Sequence, residues 1–201
     1  METSPTSLPS ESHTELALSV ERAYREAVVV DRLGALWAVI IAKCLLAQWA
    51  IDYYAIPISA LRYIWTLTLT MAAIATVLYL QAHRAKISFF PNQFRVGSAV
   101  FFGVMINVGF IFYAHFALSA ISPIAAYALV AALMGGWSMV RATLRRAPEP
   151  LMGALLWWLV AVLILRARSE FSILWLGLGC LVAQAFPIFA IVMRTQKSLR
   201  V

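Results

Sequence analysis

Six polar side chains lie within long apolar segments of the sequence, where they could bind a ligand or move a charge: Lys43, Gln48, Asp52, Asn107, His115 and Gln184. Polar groups are costly in a hydrocarbon environment, so their presence there marks them as candidates for function. A buried lysine could bind an anionic group or hand a proton to a carboxylate or an imidazole. The set therefore predicts a polar path around Lys43 and Asp52 in a small transporter or channel component.

The same residues also support a structural interpretation. Lys43 would then hydrogen-bond to Asn107, Gln184 or helix carbonyls, and Asp52 would pair with Arg62. Amide side chains commonly join membrane helices in this way. The alternative function is a non-catalytic membrane subunit, such as an anchor or an assembly or regulatory factor of a larger complex. A predicted amphipathic helix at residues 13–32, the small-residue spacings and the lack of any strong motif favour it.

Motifs for catalysis and for cofactors are absent from the sequence. It contains no His-Glu-x-x-His, no Gly-x-Ser-x-Gly and no phosphate-binding glycine loop with a lysine. Asp52 is the one carboxylate within the predicted spans, so paired-acid chemistry has no second member. Cys44 and Cys180 lie in apolar runs without a Cys-x-x-Cys spacing, as buried thiols do. We therefore expect no enzymatic activity, no bound metal and no cofactor.

The composition indicates an integral membrane protein. Of the 201 residues, 63% are hydrophobic and 12% are charged, whereas a soluble domain is about half apolar and about a quarter charged. The chain has too little polar surface to cover a globule in water. A lipid bilayer is its expected solvent.

The apolar runs predict six transmembrane helices, at about 33–54, 63–82, 97–117, 122–140, 150–166 and 171–193. The run from Val96 to Val140 contains no Asp, Glu, Lys or Arg, and as one helix it would reach roughly 65 Å, twice the bilayer core. It must fold back, and Ser119 to Pro123 is the expected turn. The predicted fold class is thus all-α: a polytopic six-helix transmembrane bundle over residues 33–194. A kink is expected at Pro187.

Two polar segments flank this domain. Residues 1–12 predict a disordered tail, and residues 13–32 an amphipathic cytoplasmic helix, with Ser12 and Glu15 spaced as a capping box. Residues 195–201 predict a basic cytoplasmic tail. Five spans, with residues 150–166 in the interface, and seven, with residues 13–32 crossing, are the alternatives.

The positive charges predict the orientation. The net charge is +7, and most cations sit in short segments between apolar runs, an arrangement that does not suit nucleic acid. With the N-terminus inside, nine cations face the cytoplasm (Arg84, Lys86, Arg95, Arg141, Arg145, Arg146, Arg194, Lys197 and Arg200) and three face outward (Arg62, Arg166 and Arg168). The positive-inside rule therefore predicts that both termini are cytoplasmic, in a cell membrane such as the bacterial inner membrane.

Small residues recur every four positions in several predicted spans, for example Ala99 and Gly103, Ala132 and Gly136, and Gly179 and Ala183. Such spacing lets helix backbones approach closely. The predicted contacts lie within the bundle. A homo-oligomer or a larger membrane complex would use the same kind of seam.

Overall fold

The computed structural model is almost entirely helical and describes residues 10–56, 61–82, 92–145 and 147–198, among which there is no strand. The helices are α1 Ser10–Tyr53, α2 Leu61–Ala82, α3 Asn92–Phe116, α4 Pro123–Arg145, α5 Pro148–Arg166, α6 Ser172–Gly179 and α7 Phe186–Ser198. A π-helical segment, Cys180–Ala185, joins α6 to α7. These last three parts are continuous and are called the final helix below.

Five helices in the described part of the chain are long and apolar enough to cross a membrane: α2, α3, α4, α5 and the final helix. The predicted all-α membrane bundle is confirmed.

The apolar half of α1 is not one of the five, but it runs beside the final helix along that helix's length. The Trp49 ring lies 6.4 Å from Phe171 at one end, and Val28 and Val192 share a buried cluster at the other. α1 therefore packs along the whole of the final helix.

The amphipathic helix and the first span, predicted as separate elements, form a single helix, α1. Nothing between Val28 and Ala35 interrupts it, because this stretch contains no proline and only one glycine. Val28, Val29 and Asp31 are buried, so the bundle already begins before residue 33. The predicted tail falls mostly on residues 1–9, which lie outside the described residues. Of the predicted basic tail, the side chains after Arg194 lie outside them too.

The remaining helices begin and end close to the predicted positions. The turn between α3 and α4 covers residues 117–122, where the sequence predicts it. α5 begins at Pro148 rather than Pro150, because proline suits the first position of a helix, where no backbone N–H is needed.

The core of the bundle lies between α4, α5 and the final helix. α4 and α5 share the most extensive contact, and α1 packs along the final helix. Trp157 and Ile164 of α5 are almost fully buried. α3 packs on α4, and α2 makes a smaller contact with α1. α2 and α3 are therefore peripheral, and their apolar surfaces are largely exposed.

Glycines allow two close helix contacts around this core. A Cβ atom at Gly153 would lie 2.6 Å from the carbonyl oxygen of Ala183, and one at Gly179 would lie 2.8 Å from the Trp157 ring. By contrast, a Cβ at Gly103 or Gly136 would meet nothing within 4 Å. Of these three glycines, all selected by the four-residue spacing, Gly179 is at a close helix contact, whereas Gly103 and Gly136 are not.

The π-helical segment precedes Pro187, where the sequence predicts a kink. Proline has no N–H, and its ring clashes with the carbonyl four residues earlier, here Ala183. The N–H of Phe186 bonds to the carbonyl of Leu181, five residues back. The wider turn gives the Ala183 carbonyl room, and it is this carbonyl that Gly153 of α5 approaches.

The end of α1 provides a test of backbone conformation. Ala55 has a φ of 49°, and Ile56 N–H donates to the Ile51 carbonyl at 3.0 Å, as in a glycine-ended helix cap. Because glycine adopts this conformation without strain, Ala55→Gly should raise the free energy of unfolding by about 0.5–1 kcal/mol. SDS-induced unfolding in micelles measures it. Ala50→Gly, inside the helix, should lower stability by a similar amount; equal effects of the two would contradict the cap.

Candidate functional site

Gln48 and Asp52 are in direct contact near the end of α1. One turn apart, they share a helix face, and Gln48 Nε2 donates to Asp52 Oδ2 at 2.7 Å. Trp65 of α2 donates from Nε1 to Gln48 Oε1 at 3.3 Å. Asp52 is exposed. Asp52 is thus an exposed carboxylate with one amide partner, and the Trp65 bond also ties α2 to α1. The side chain of Arg62, the predicted partner of Asp52, lies outside the described side chains.

His115 closes the hairpin between α3 and α4. Its Nδ1 lies 3.0 Å from the Ile121 carbonyl oxygen, which can only accept, so we assign the proton to Nδ1. The ring also lies 4.5 Å from Phe116 and 6.2 Å from Tyr127, measured between ring centroids. These contacts give His115 a local structural role.

Gln184 joins three helices inside the bundle. Its Oε1 accepts hydrogen bonds from Ser138 Oγ of α4 at 3.4 Å and from Trp157 Nε1 of α5 at 3.2 Å. Ser138 and Trp157 are both buried. Because neither donor can reach water, the Gln184 oxygen satisfies groups that would otherwise be unpaired.

Asn107 does not take part in this network. It is exposed, and its Nδ2 donates to the carbonyl of Gly103 in its own helix at 2.8 Å. Gln184 and Asn107 are thus both amides within predicted spans, but only Gln184 connects helices.

This difference gives a measurable contrast. Gln184→Leu should lower the free energy of unfolding by about 1–3 kcal/mol, because it leaves the buried Trp157 N–H without an acceptor. Asn107→Leu removes an exposed polar group with only a local partner, so its effect should stay within about 0.5 kcal/mol. Both are measured by SDS-induced unfolding. A cost for Asn107→Leu equal to that for Gln184→Leu would contradict the assignment.

Lys43 is exposed on the side of the bundle. Among the described residues, no hydrogen bond or ion pair involves it. Holding a lysine at the centre of a membrane helix costs about 2.5–3.5 kcal/mol on insertion scales. Neither Asn107 nor Gln184, its predicted partners, contacts it. The six predicted residues therefore do not converge on one site: Gln48 and Asp52 are together, and the other four are apart.

The most strongly charged buried site was not among the predicted residues. Asp31 of α1 is 5% exposed, and both of its oxygens are bound: Oδ1 by Arg141 Nη2 at 3.2 Å and Oδ2 by Arg145 Nη1. The two arginines lie one turn apart on α4. In the sequence, Asp31 lies just before the first predicted span, and Arg141 and Arg145 lie just after the fourth. In two antiparallel helices, the start of one lies beside the end of the other, which brings these three residues to the same level.

A second ion pair lies at the same end of the bundle. Arg194 Nη1 of α7 is 3.1 Å from Glu149 Oε1 at the start of α5. The Glu149 side chain is 20% exposed and that of Arg194 is 74% exposed. We call this level, with Asp31, Arg141, Arg145, Glu149 and Arg194, the basic end.

The described residues contain no group of three or more His, Cys, Asp or Glu that could hold a metal ion. A shallow depression on α3 is lined by Ile106, Gly109, Phe110 and Tyr113 and is almost wholly apolar. The chain matches no protein-family model, and no curated protein or solved structure is significantly similar to it.

Proposed function

We propose that this protein is a non-catalytic subunit of a larger membrane complex, acting as an anchor or assembly factor for a partner. The observation that carries the proposal is the position of Lys43, a basic residue that is exposed and lies halfway along the predicted first span, residues 33–54. Charged residues in membrane helices almost always face a protein interior or a wet cavity. A residue on the outer side of the bundle is enclosed by protein only when another protein covers it.

The other polar groups support the same proposal because they are used for structure. Gln184 binds Ser138 and Trp157, and Asp31 binds two arginines. Such contacts hold helices in one arrangement. A membrane subunit without chemistry of its own needs this rigidity to present a constant surface.

Transport along a polar path around Lys43 and Asp52 is the alternative, and it stays a prediction. It requires these groups to line one passage, but Lys43 and Asn107 are both exposed, and Asn107 bonds to its own helix. The geometry therefore gives it less support. Loss of solute flux in Lys43→Met, with the protein still folded, would favour transport.

The test of the proposal is the composition of the protein in its own membrane. The full chain, tagged and expressed at its natural level, is extracted in a mild detergent and its protein mass is measured by light scattering. We expect a particle heavier than the 22.3 kDa chain, with a second protein in constant ratio. A particle that contains this chain alone would overturn the proposal. An unrelated membrane protein with the same tag controls for adventitious binding.

We further propose that both termini face the cytoplasm, in the inner membrane of a bacterial-type cell. The cations at the basic end, Arg141, Arg145 and Arg194, support this orientation through the positive-inside rule. Reporter tags at the two ends should both be inaccessible from outside the cell. Accessibility of either tag would exclude the proposed topology.

A further inference from the structure

Lys43 belongs to a face of α1 that packs against no other described helix. One side of α1 meets the final helix through buried residues such as Ala35. Another side meets α2, where Trp37 Nε1 donates to Thr76 Oγ1 at 2.9 Å. Exposed residues with helical spacing form the third side, which we call the Lys43 face: Arg32, Leu36, Val39 and Lys43. Leu36 is 48% and Val39 is 37% exposed.

The depth of Lys43 follows from the helix rise. Asp31 lies twelve residues before Lys43 and Asp52 nine residues after it on the same helix. At 1.5 Å per residue, these carboxylates are separated from Lys43 by roughly 18 Å and roughly 14 Å along the axis. Asp31 is level with the basic end, where it binds Arg141. Lys43 is therefore near the middle of the bilayer, too deep for its ammonium to reach either surface easily.

Among the described side chains, no carboxylate is placed to neutralise Lys43. The sequence has nine acids, and the five that precede Asp31 have side chains outside the described ones. Asp31, Glu149 and Glu170 have arginine partners, and Asp52, which Gln48 binds, is separated from Lys43 by roughly 14 Å along the helix axis. None of the described carboxylates therefore supplies the counter-charge.

A second copy of the chain does not supply the counter-charge of Lys43 either. In a symmetric pair of parallel copies, equivalent residues lie at equal depth, so the carboxylates of the other copy are as far from Lys43 as its own. Two Lys43 faces packed together would bring two ammonium groups close, and like charges repel. In an inverted copy, Lys43 would again lie near the midplane. Its Asp31 and Asp52 would therefore still be roughly 18 Å and roughly 14 Å from the level of the first Lys43.

We infer that the Lys43 face binds a transmembrane helix of a different protein, which carries an Asp or Glu at the depth of Lys43. This helix is apolar where it meets Leu36 and Val39, and its carboxylate accepts hydrogen bonds from the ammonium, so both charges are neutralised away from water. The inference rests on the proposed function and identifies the docking face and the chemistry of the partner.

The experiment uses the full chain purified with its partner from native membranes, in four variants. Lys43→Met removes the charge and retains the length, and Lys43→Arg retains the charge. Leu36→Trp adds bulk to the Lys43 face, and Leu159→Trp adds the same bulk to α5, where Leu159 is 53% exposed. Both leucines face away from the core, so neither variant should disturb folding. Size-exclusion chromatography confirms that each variant is monodisperse.

Recovery of the partner should fall about tenfold or more in Lys43→Met, since truncating one member of a buried charge pair weakens an interface at least that much. Leu36→Trp should also lose the partner, while Lys43→Arg and Leu159→Trp should retain it. The decisive step is a charge exchange. With the partner identified by mass spectrometry, Lys43→Glu should abolish binding, and replacing the acid in the partner's helix by Lys should restore it.

Four results would overturn the inference. Undiminished recovery in both Lys43→Met and Leu36→Trp would show that the partner binds elsewhere, while leaving the proposed function intact. A partner without a membrane acid, or failure of the charge exchange, would reject the carboxylate. Exchange between differently tagged copies of this chain through the Lys43 face would identify a second copy as the occupant. Absence of any partner from the wild-type preparation would instead reject the proposed function.

Discussion

Asp31→Asn is expected to lower the free energy of unfolding by roughly 3–5 kcal/mol, the usual cost of removing one member of a buried ion pair. The Asp31 side chain is 6% exposed, and those of Arg141 and Arg145 are 12% and 25% exposed. The asparagine could accept a hydrogen bond but would leave two guanidinium groups without a counter-charge. Because Arg145 is the more exposed, part of its charge can be solvated, and the lower half of the range is the expected result.

The measurement is SDS-induced unfolding in mixed micelles, with Glu170→Gln as the matched control. Glu170 also pairs with an arginine, but the Arg168 and Glu170 side chains are 83% and 48% exposed, and such surface pairs contribute about 0–1 kcal/mol. Equal losses in the two variants would mean that Asp31 does not act as a buried counter-charge.

A compensated variant separates the lost charge from the lost packing. In Asp31→Leu combined with Arg141→Met, the buried carboxylate and the more buried guanidinium are both replaced by apolar groups. Such replacements are often neutral or stabilising. This double variant should therefore be more stable than Asp31→Asn. If the double variant is less stable than Asp31→Asn, the attraction between Asp31 and Arg141 itself holds α1 against α4. The loss in Asp31→Asn would then not come from the unpaired guanidinium groups.

Gly153→Ala should lower the free energy of unfolding by about 1–3 kcal/mol, the typical cost of overpacking a core. Its new Cβ would lie 2.6 Å from the Ala183 carbonyl oxygen and 3.4 Å from Pro187 Cγ. The first is backbone and the second a rigid ring, so neither can turn away as a flexible side chain would. α5 would have to move away from the final helix, which loosens the largest buried cluster.

Gly136→Ala is the control, and its effect should have the opposite sign. A Cβ at Gly136 would meet no atom within 4 Å, and alanine is favoured over glycine inside a helix by about 1 kcal/mol. The same unfolding measurement applies to both. A loss of stability in both variants, or a gain in both, would contradict the contact between Gly153 and the final helix.

The glycines show what spacing alone can and cannot predict. Gly135 and Gly136 are adjacent in α4, and the four-residue pattern with Ala128 and Ala132 selects Gly136. In the structure a Cβ at Gly135 would lie 2.5 Å from Trp158 Nε1, whereas Gly136 faces open space. In a soluble helix the apolar stripe marks the packed side, but a membrane helix is apolar on every side, because lipid is as apolar as the core. Sequence therefore identifies the helix but not the face that packs.

The same reason explains the outcome for the charged residues. Because lipid does not solvate a charge, the sequence predicts that Lys43 points into the bundle, yet its face of α1 is exposed. In the sequence, Asp31 is one of several charged residues in the predicted amphipathic helix at 13–32, and nothing distinguishes it from the others. Its ion pair with Arg141 joins residues that are 110 positions apart. Such a contact depends on which helices become neighbours.

By itself the sequence determined that this chain is a helical membrane protein, where most of its helices begin and end, and that it turns back near Ser119. These properties follow from local energetics: long uncharged runs must bond their own backbones in lipid, and proline ends helices. Only the tertiary structure decided which side of each helix is covered, so it alone placed Gln184 against Trp157, Asp31 against two arginines and Lys43 outside the bundle. Those positions depend on side-chain packing between helices, a property that no single segment contains.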